Sequence, residues 1–86
     1  MPVISMFYGI VIMMFNNGEH NPPHFHAKYA EHIATFDLEG NLLEGDMPKA
    51  KQKLIAAWAE IHHDELVANW DLAIHQQAVY KIDPLR

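Results

Sequence analysis

Apolar and polar positions follow two different periods along this chain, and the change falls near residue 46. Before that point, short runs rich in β-branched and aromatic residues alternate with clusters of Gly, Asn and Pro, a pattern typical of strands and turns. Strands are predicted over residues 9–15, 24–29 and 32–39, with a short fourth strand at 42–44. The pattern therefore predicts an α+β domain with a small, mainly antiparallel β-sheet of three to four strands.

Residues 24–39 predict a β-hairpin whose two faces differ in chemistry. Ala30 and Glu31 form the predicted two-residue turn, which sets His24 opposite Asp37 across the strand pair. One face is expected to be buried, and its members are Phe25, Ala27, Tyr29, Ala34, Phe36 and Leu38. The opposite face is expected to be polar and open to solvent, and it displays His24, His26, Lys28, Ile33, Thr35 and Asp37.

Two C-terminal helices are predicted, over residues 48–61 and 64–76, and they are expected to cover one face of the sheet. At 100° per residue, the apolar residues of the second helix centre about 130° from those of the first, so one straight helix cannot bury both sets. A break near residues 62–64 brings both sets onto the sheet. Trp58 and Trp70 lie on the apolar faces and are predicted to anchor the core or an interface.

Composition limits the size and class of the protein. The 86 residues, half of them apolar and 20% charged, predict a single domain over residues 1–86, and a domain this small is compatible with a homodimer. The absence of cysteine excludes disulfides and thiolate metal sites. A net charge of -5 does not support RNA as a partner through phosphate neutralisation. The opening apolar run is too short for a membrane helix, so we expect a cytoplasmic protein that makes no membrane contact.

Histidine is the residue type that points to chemistry, since the chain has seven. His24 and His26 alternate along one strand, so their side chains point to the same side and can converge on one metal ion or one scissile group. His20 joins them only if the proline loop folds back, with Glu19 close by. The candidate metal ligands are therefore His20, His24 and His26, and imidazole nitrogens suit a divalent transition metal such as zinc.

Three interpretations of the histidine face are open. The histidines can be solvated strand residues, with His24 paired only with Asp37, or they can bind a metal ion. They can also serve as base and acid in cleaving RNA, where the 2′-hydroxyl of the substrate is the nucleophile. In that case Lys28 stabilises the phosphorane and Asp37 orients His24. The candidate catalytic residues are then His24, His26, Lys28 and Asp37.

Several motifs together carry a family resemblance: Glu-His-Asn-Pro-Pro-His-Phe-His-Ala, Leu-Glu-Gly-Asp-Met-Pro, Asn-Trp-Asp-Leu-Ala and the terminal Lys-Ile-Asp-Pro-Leu. With these motifs the chain resembles the bacterial family called domain of unknown function 4160 over nearly its whole length. The family has no assigned activity. This chain departs from it at Met13, where many relatives carry an arginine, and the lost cation weakens a phosphate-binding role.

The resemblance also implies a genetic setting. Genes of the family often lie beside those of another small uncharacterised family, as in a toxin and antitoxin pair. The chain is accordingly predicted to be a component of such a module, with the toxin side favoured and a small cognate protein as partner. The alternative is a non-catalytic metal-binding or protein-interaction module that uses the same histidines.

Overall fold

The computed structural model describes residues 2–16 and 22–86. Five strands pair antiparallel in the order in which they occur along the chain, and two helices follow them. The elements are β1 (Val3–Phe7), β2 (Ile10–Met13), β3 (His24–Tyr29), β4 (His32–Asp37), β5 (Leu42–Gly45), α1 (Lys49–Ile61) and α2 (His63–Ile74). The α+β class is confirmed, and the sheet has one strand more than the three to four predicted.

The additional strand comes from the N-terminal apolar run, which forms two strands where the sequence predicted one over residues 9–15. Phe7 pairs with Ile10, so Tyr8 and Gly9 form a two-residue turn. Both turn residues have positive φ, 51° for Tyr8 and 81° for Gly9. Two-residue hairpin turns of this kind match the twist of the strands, but they usually use Asn or Asp followed by Gly. Because tyrosine gives no turn signal, the sequence pattern predicts no break within the apolar run.

The central hairpin has the predicted register. His24 pairs with Asp37 and His26 with Thr35, on either side of a turn in which Ala30 takes a φ of 53°. The strand β4 ends at Asp37 rather than at residue 39, because the Asp37 carboxylate caps the next turn. Its Oδ1 accepts hydrogen bonds from the backbone N–H groups of Glu39, at 3.0 Å, and Asn41, at 2.8 Å.

The two helices are separated at residue 62, within the interval 62–64 that the directions of their apolar faces predicted. His62 lies between α1 and α2 with φ -109°, and its N–H still donates to the carbonyl oxygen of Trp58 at 3.0 Å. His62 occupies the N-cap position of α2, and Asp64 lies in the first helical turn. A carboxylate in that turn interacts favourably with the helix dipole. Neither helix of the described chain is long and apolar enough to cross a bilayer.

The core lies between one face of the sheet and the two helices. Phe25 and Phe36 stack across the central hairpin at 5.7 Å, and Trp58 of α1 packs against Phe25 at the same centroid distance. The C-terminal segment closes the β1 edge, since the Ile82 N–H donates to the Ile4 carbonyl oxygen at 2.7 Å. The predicted core face is confirmed, with Tyr29 half-buried and its other members buried.

Candidate functional site

The site is built at the start of β3. Pro22 and Pro23 remove two backbone donors, so the ladder with β4 begins at His24. From there the alternation of the strand places His24 and His26 on the same side of the sheet, away from Phe25 and Ala27 in the core. Their ring centroids lie 5.2 Å apart and the rings meet edge to face, at 74°. The structure thus brings together the two histidines that the sequence pattern paired.

Aromatic side chains hold both rings in place. His26 packs edge-on against Phe15, with the centroids 4.4 Å apart, and His24 packs against Trp70 of α2 at 5.1 Å. Edge-to-face and tilted contacts of this kind fix the plane of a ring as well as its position. Both histidines are half-buried as a result, whereas the sequence predicted an open face. Other residues of the same face are more exposed than the two histidines, and Ile33 is 60% exposed.

A backbone contact defines the tautomer of His24. Its Nδ1 lies 2.8 Å from the carbonyl oxygen of Pro22, and a carbonyl oxygen only accepts, so Nδ1 carries the proton. In the neutral ring the lone pair is then on Nε2. This is the state that a general base or a metal-ligating histidine requires, and a hydrogen bond to a backbone carbonyl is a common way to fix it.

Lys28 and Asp37 flank the histidine pair in different ways. Lys28 lies two residues beyond His26 on the same side of β3 and is exposed. Asp37 lies opposite His24, as predicted, but its carboxylate also accepts a hydrogen bond from the side-chain amide of Asn41 at 3.1 Å. The described hydrogen bonds of Asp37 therefore stabilise the turn after β4. Its expected part in orienting His24 stays a prediction.

The predicted metal site is only partly covered by the structure. His20 and Glu19 lie outside the described residues, so the expected folding back of the proline loop stays a prediction. Within residues 2–16 and 22–86, no group of three or more His, Asp or Glu side chains is arranged to hold a metal ion. Across the β2–β3 ladder, His26 pairs with Met13.

A groove adjoins the histidine pair and was not predicted. It lies between the two prolines, the turn after β4 and helix α2, and has a volume of about 450 Å³. Its apolar wall consists of Pro22, Pro23, Leu38, Leu43, Val67 and Trp70. We call it the Trp70 groove. Because Trp70 also touches His24, the groove and the histidine pair share one wall. The signal in the sequence was Trp70, whose place on the apolar face of the second helix predicts an anchor of the core or of an interface.

Together these features define a small α+β domain with a pair of oriented histidines at one end of its sheet. The family model described as "Domain of unknown function (DUF4160)" matches residues 9–71 of the chain. The match covers more than half of the chain, so the protein belongs to this family. Comparisons with curated proteins and with solved structures find no match.

Proposed function

We propose that this chain is the toxin-side component of a toxin–antitoxin type module and that it cleaves RNA with His24 and His26 as base and acid. The observation that carries the proposal is the oriented pair of imidazoles of His24 and His26, whose ring centroids lie 5.2 Å apart on one strand. Two groups that exchange protons with a single phosphate must lie within hydrogen-bonding reach of it on either side. The gene neighbourhood implied by the family resemblance supports the assignment to a two-protein module.

The chemistry needs no protein nucleophile. His24, with its lone pair on Nε2, takes the proton of the 2′-hydroxyl as the 2′-oxygen forms a bond to phosphorus. The bond from phosphorus to the 5′-oxygen breaks, and a protonated His26 gives its proton to that oxygen. The products are a 2′,3′-cyclic phosphate and a 5′-hydroxyl, and the two histidines end in exchanged protonation states.

The local charge on this side of β3 supports phosphate binding in spite of the net charge of -5. Lys28 lies on the same side of β3 as both histidines, two residues beyond His26. In the proposed mechanism the general acid is a protonated His26, which adds a second positive charge. These positive charges stabilise the negative charge that develops on the phosphorane oxygens. Met13 supplies no such charge opposite His26, so Lys28 is the cation that the proposal assigns to this role.

Purified protein is expected to cleave a single-stranded RNA oligonucleotide to products that end in a 2′,3′-cyclic phosphate, identified by mass spectrometry. His24→Ala and His26→Ala are each expected to slow cleavage by about 10²- to 10⁴-fold, the usual contribution of a general acid or base. His75→Ala is the matched control, because His75 is an exposed histidine outside the pair.

The same oligonucleotide with 2′-deoxyribose at every position should remain intact, since it lacks the nucleophile. A chelator should leave the rate unchanged, because this mechanism uses no metal ion. The proposal is wrong if RNA stays intact with the wild-type protein, or if both histidine variants cleave it at the wild-type rate.

The second candidate function is a non-catalytic metal-binding or protein-interaction module. The observation that favours metal binding is the Nδ1 contact of His24 with the Pro22 carbonyl oxygen, because it puts the proton on Nδ1 and the lone pair of the neutral ring on Nε2, the tautomer of a metal-ligating histidine. His26 and His20 are the other ligands in this proposal, with zinc or another divalent transition metal as the ion. A bound ion here would hold the proline loop against the start of β3.

Elemental analysis of untagged protein tests this second function. If the module binds a metal, the purified chain is expected to hold about one transition-metal ion per molecule, with imidazole as its ligand. The double variant His24→Ala, His26→Ala is expected to lose the ion, and His75→Ala is expected to retain it. A wild-type protein without metal, after purification in zinc-supplemented medium, would contradict this second candidate.

A further inference from the structure

Charge is unevenly distributed over the molecule. The six Lys and Arg residues lie at positions 28, 49, 51, 53, 81 and 86, so none falls between residues 54 and 80. That interval contains all of α2, whose exposed carboxylates are Asp64, Glu65 and Asp71. The exposed charged side chains of α2 are therefore all carboxylates, and the lysines of residues 49–53 belong to the other helix. The negative electrostatic potential that these carboxylates create over α2 favours a cationic partner.

The Trp70 groove opens beside this acidic helix. Its rim includes Leu43, which is 44% exposed, and Val67, which is 47% exposed, while Trp70 is only 8% exposed. Three large apolar side chains thus meet in one concave surface of about 450 Å³. A cavity of this size accommodates one or two large apolar side chains, and concave apolar surfaces with a polar rim are typical of binding sites.

The polar rim of the groove is also acidic. Asp37 and Glu39 lie along it, with His63 facing Glu39 at 3.0 Å between Nε2 and Oε2. The described residues that line the groove include no Lys or Arg. A phosphate backbone in this position would meet the carboxylates of Asp37 and Glu39, which is unfavourable. A segment that combines an apolar side chain with a cationic one would complement both the wall and the rim.

We propose that the Trp70 groove is the docking site for a basic, apolar segment of a partner protein. A large apolar side chain of the segment packs on Trp70 between Leu43 and Val67. A neighbouring Lys or Arg interacts with Glu39 and the carboxylates of α2. This inference rests on the proposed function only in assuming that the chain acts together with a partner protein, and it needs no activity of the histidines.

The Trp70 groove lies directly beside the histidine pair. Trp70 forms part of its wall and also contacts the His24 ring, with the centroids 5.1 Å apart. A segment seated on Trp70 therefore lies beside the histidine pair and limits access to it. In a module of toxin and antitoxin type, one contact of this kind would let the partner control the site.

Selection of a random peptide library against immobilised wild-type protein tests the proposal, with affinities then measured by fluorescence anisotropy. We expect the enriched peptides to combine a large apolar residue with Lys or Arg. Val67→Lys should weaken their binding by about tenfold or more, as expected for the loss of a buried interface contact. Val67→Lys places an ammonium group three residues after Asp64 and four before Asp71. Opposite charges at these spacings stabilise a helix, so the variant is expected to keep α2 folded.

Matched controls separate the groove from general effects. Ile61→Lys changes an apolar side chain that is 65% exposed on α1 and does not line the groove, and it should bind like wild type. Glu39→Gln should weaken binding of the basic peptides, whereas Glu60→Gln, on α1, should not. His26→Ala should bind normally, because His26 does not line the groove, so the failure of this inference and of the RNA-cleavage proposal are distinguishable.

Several results would overturn the proposal. One is a selection that yields no peptide whose binding depends on Val67, or that yields peptides rich in acidic residues. Another is a wild-type dimer that Val67→Lys dissociates, measured by analytical ultracentrifugation, because the occupant would then be a second copy of the chain. Binding of single-stranded RNA that is lost in Val67→Lys would assign the groove to nucleic acid instead.

Discussion

Replacing Trp58 by alanine is expected to lower the free energy of unfolding by about 3 to 5 kcal/mol, the usual cost of deleting a buried aromatic side chain. Trp58 is fully buried and joins three parts of the fold. Its ring lies 5.4 Å from that of Phe7 in β1 and 5.7 Å from that of Phe25 in β3. Its Nε1–H donates to the Asp83 carbonyl oxygen at 2.8 Å, which holds the C-terminal segment.

A loss of this size is a large fraction of the stability expected for a domain of 86 residues, about 4 to 13 kcal/mol in total. Thermal and urea melts should therefore show Trp58→Ala unfolding far below the wild-type midpoint. Trp58→Phe is the matched variant, since it keeps an aromatic ring but loses the donor, and it should fall between the two. A Trp58→Ala protein as stable as wild type would contradict the account of the core.

The central hairpin could be predicted because its two determinants are local. Strict alternation of apolar and polar residues assigns each side chain to a face, and a slip of one residue would place Phe25 and Phe36 in solvent. The register of His24 with Asp37 followed from that pattern and a two-residue turn, and the structure confirms it. The break between the helices was predictable for a similar reason, since their apolar faces point in different directions.

The strand β1 could not be predicted by the same reasoning. A continuous apolar run gives no alternation, and the turn at Tyr8 and Gly9 depends on a positive φ at a tyrosine, which sequence propensity does not favour. Pairing with β2 on one side and with the C-terminal segment at Ile82 on the other stabilises β1. The contact with Ile82 joins residues from opposite ends of the chain, so part of the cause of the strand lies in tertiary structure.

For the site, the sequence indicated which histidines share a side but not what fixes their rings. Phe15 follows β2 and Trp70 lies in α2, and only the contact of Trp70 with His24 depends on the packing of that helix. The carbonyl contact that sets the tautomer of His24 depends on the path of the chain at Pro22. The sequence also could not show that the Asp37 carboxylate caps a turn, because that use is decided by the loop after β4.

Loss of growth arrest is the second large effect expected. Induction of the wild-type gene alone in bacteria should stop growth, because under the proposed function the cell then holds an RNA-cleaving toxin without its partner. The double variant His24→Ala, His26→Ala should grow at the rate of the uninduced strain. Base and acid act in the same step, so losing either one removes most of the rate, and the double variant leaves no route for the proton transfers.

The matched control is the double variant His32→Ala, His75→Ala, which removes two imidazoles elsewhere. His32 pairs with Asp46 at 2.5 Å, and His75 contacts the Asp71 carbonyl oxygen at 2.7 Å. Neither contact involves the rings of His24 or His26, so this variant should still arrest growth. Protein levels should be matched by immunoblot, and thermal melts should establish that both double variants fold, so that a loss of toxicity reports on the imidazoles themselves.

The growth rate after tightly controlled induction, compared across these three strains, tests the central claim most directly. The account predicts arrest with wild type and with His32→Ala, His75→Ala, and normal growth with His24→Ala, His26→Ala at an equal level of folded protein. Normal growth with the wild-type protein, or arrest by the variant that lacks His24 and His26, would contradict the claim that this chain is a toxin acting through its histidine pair.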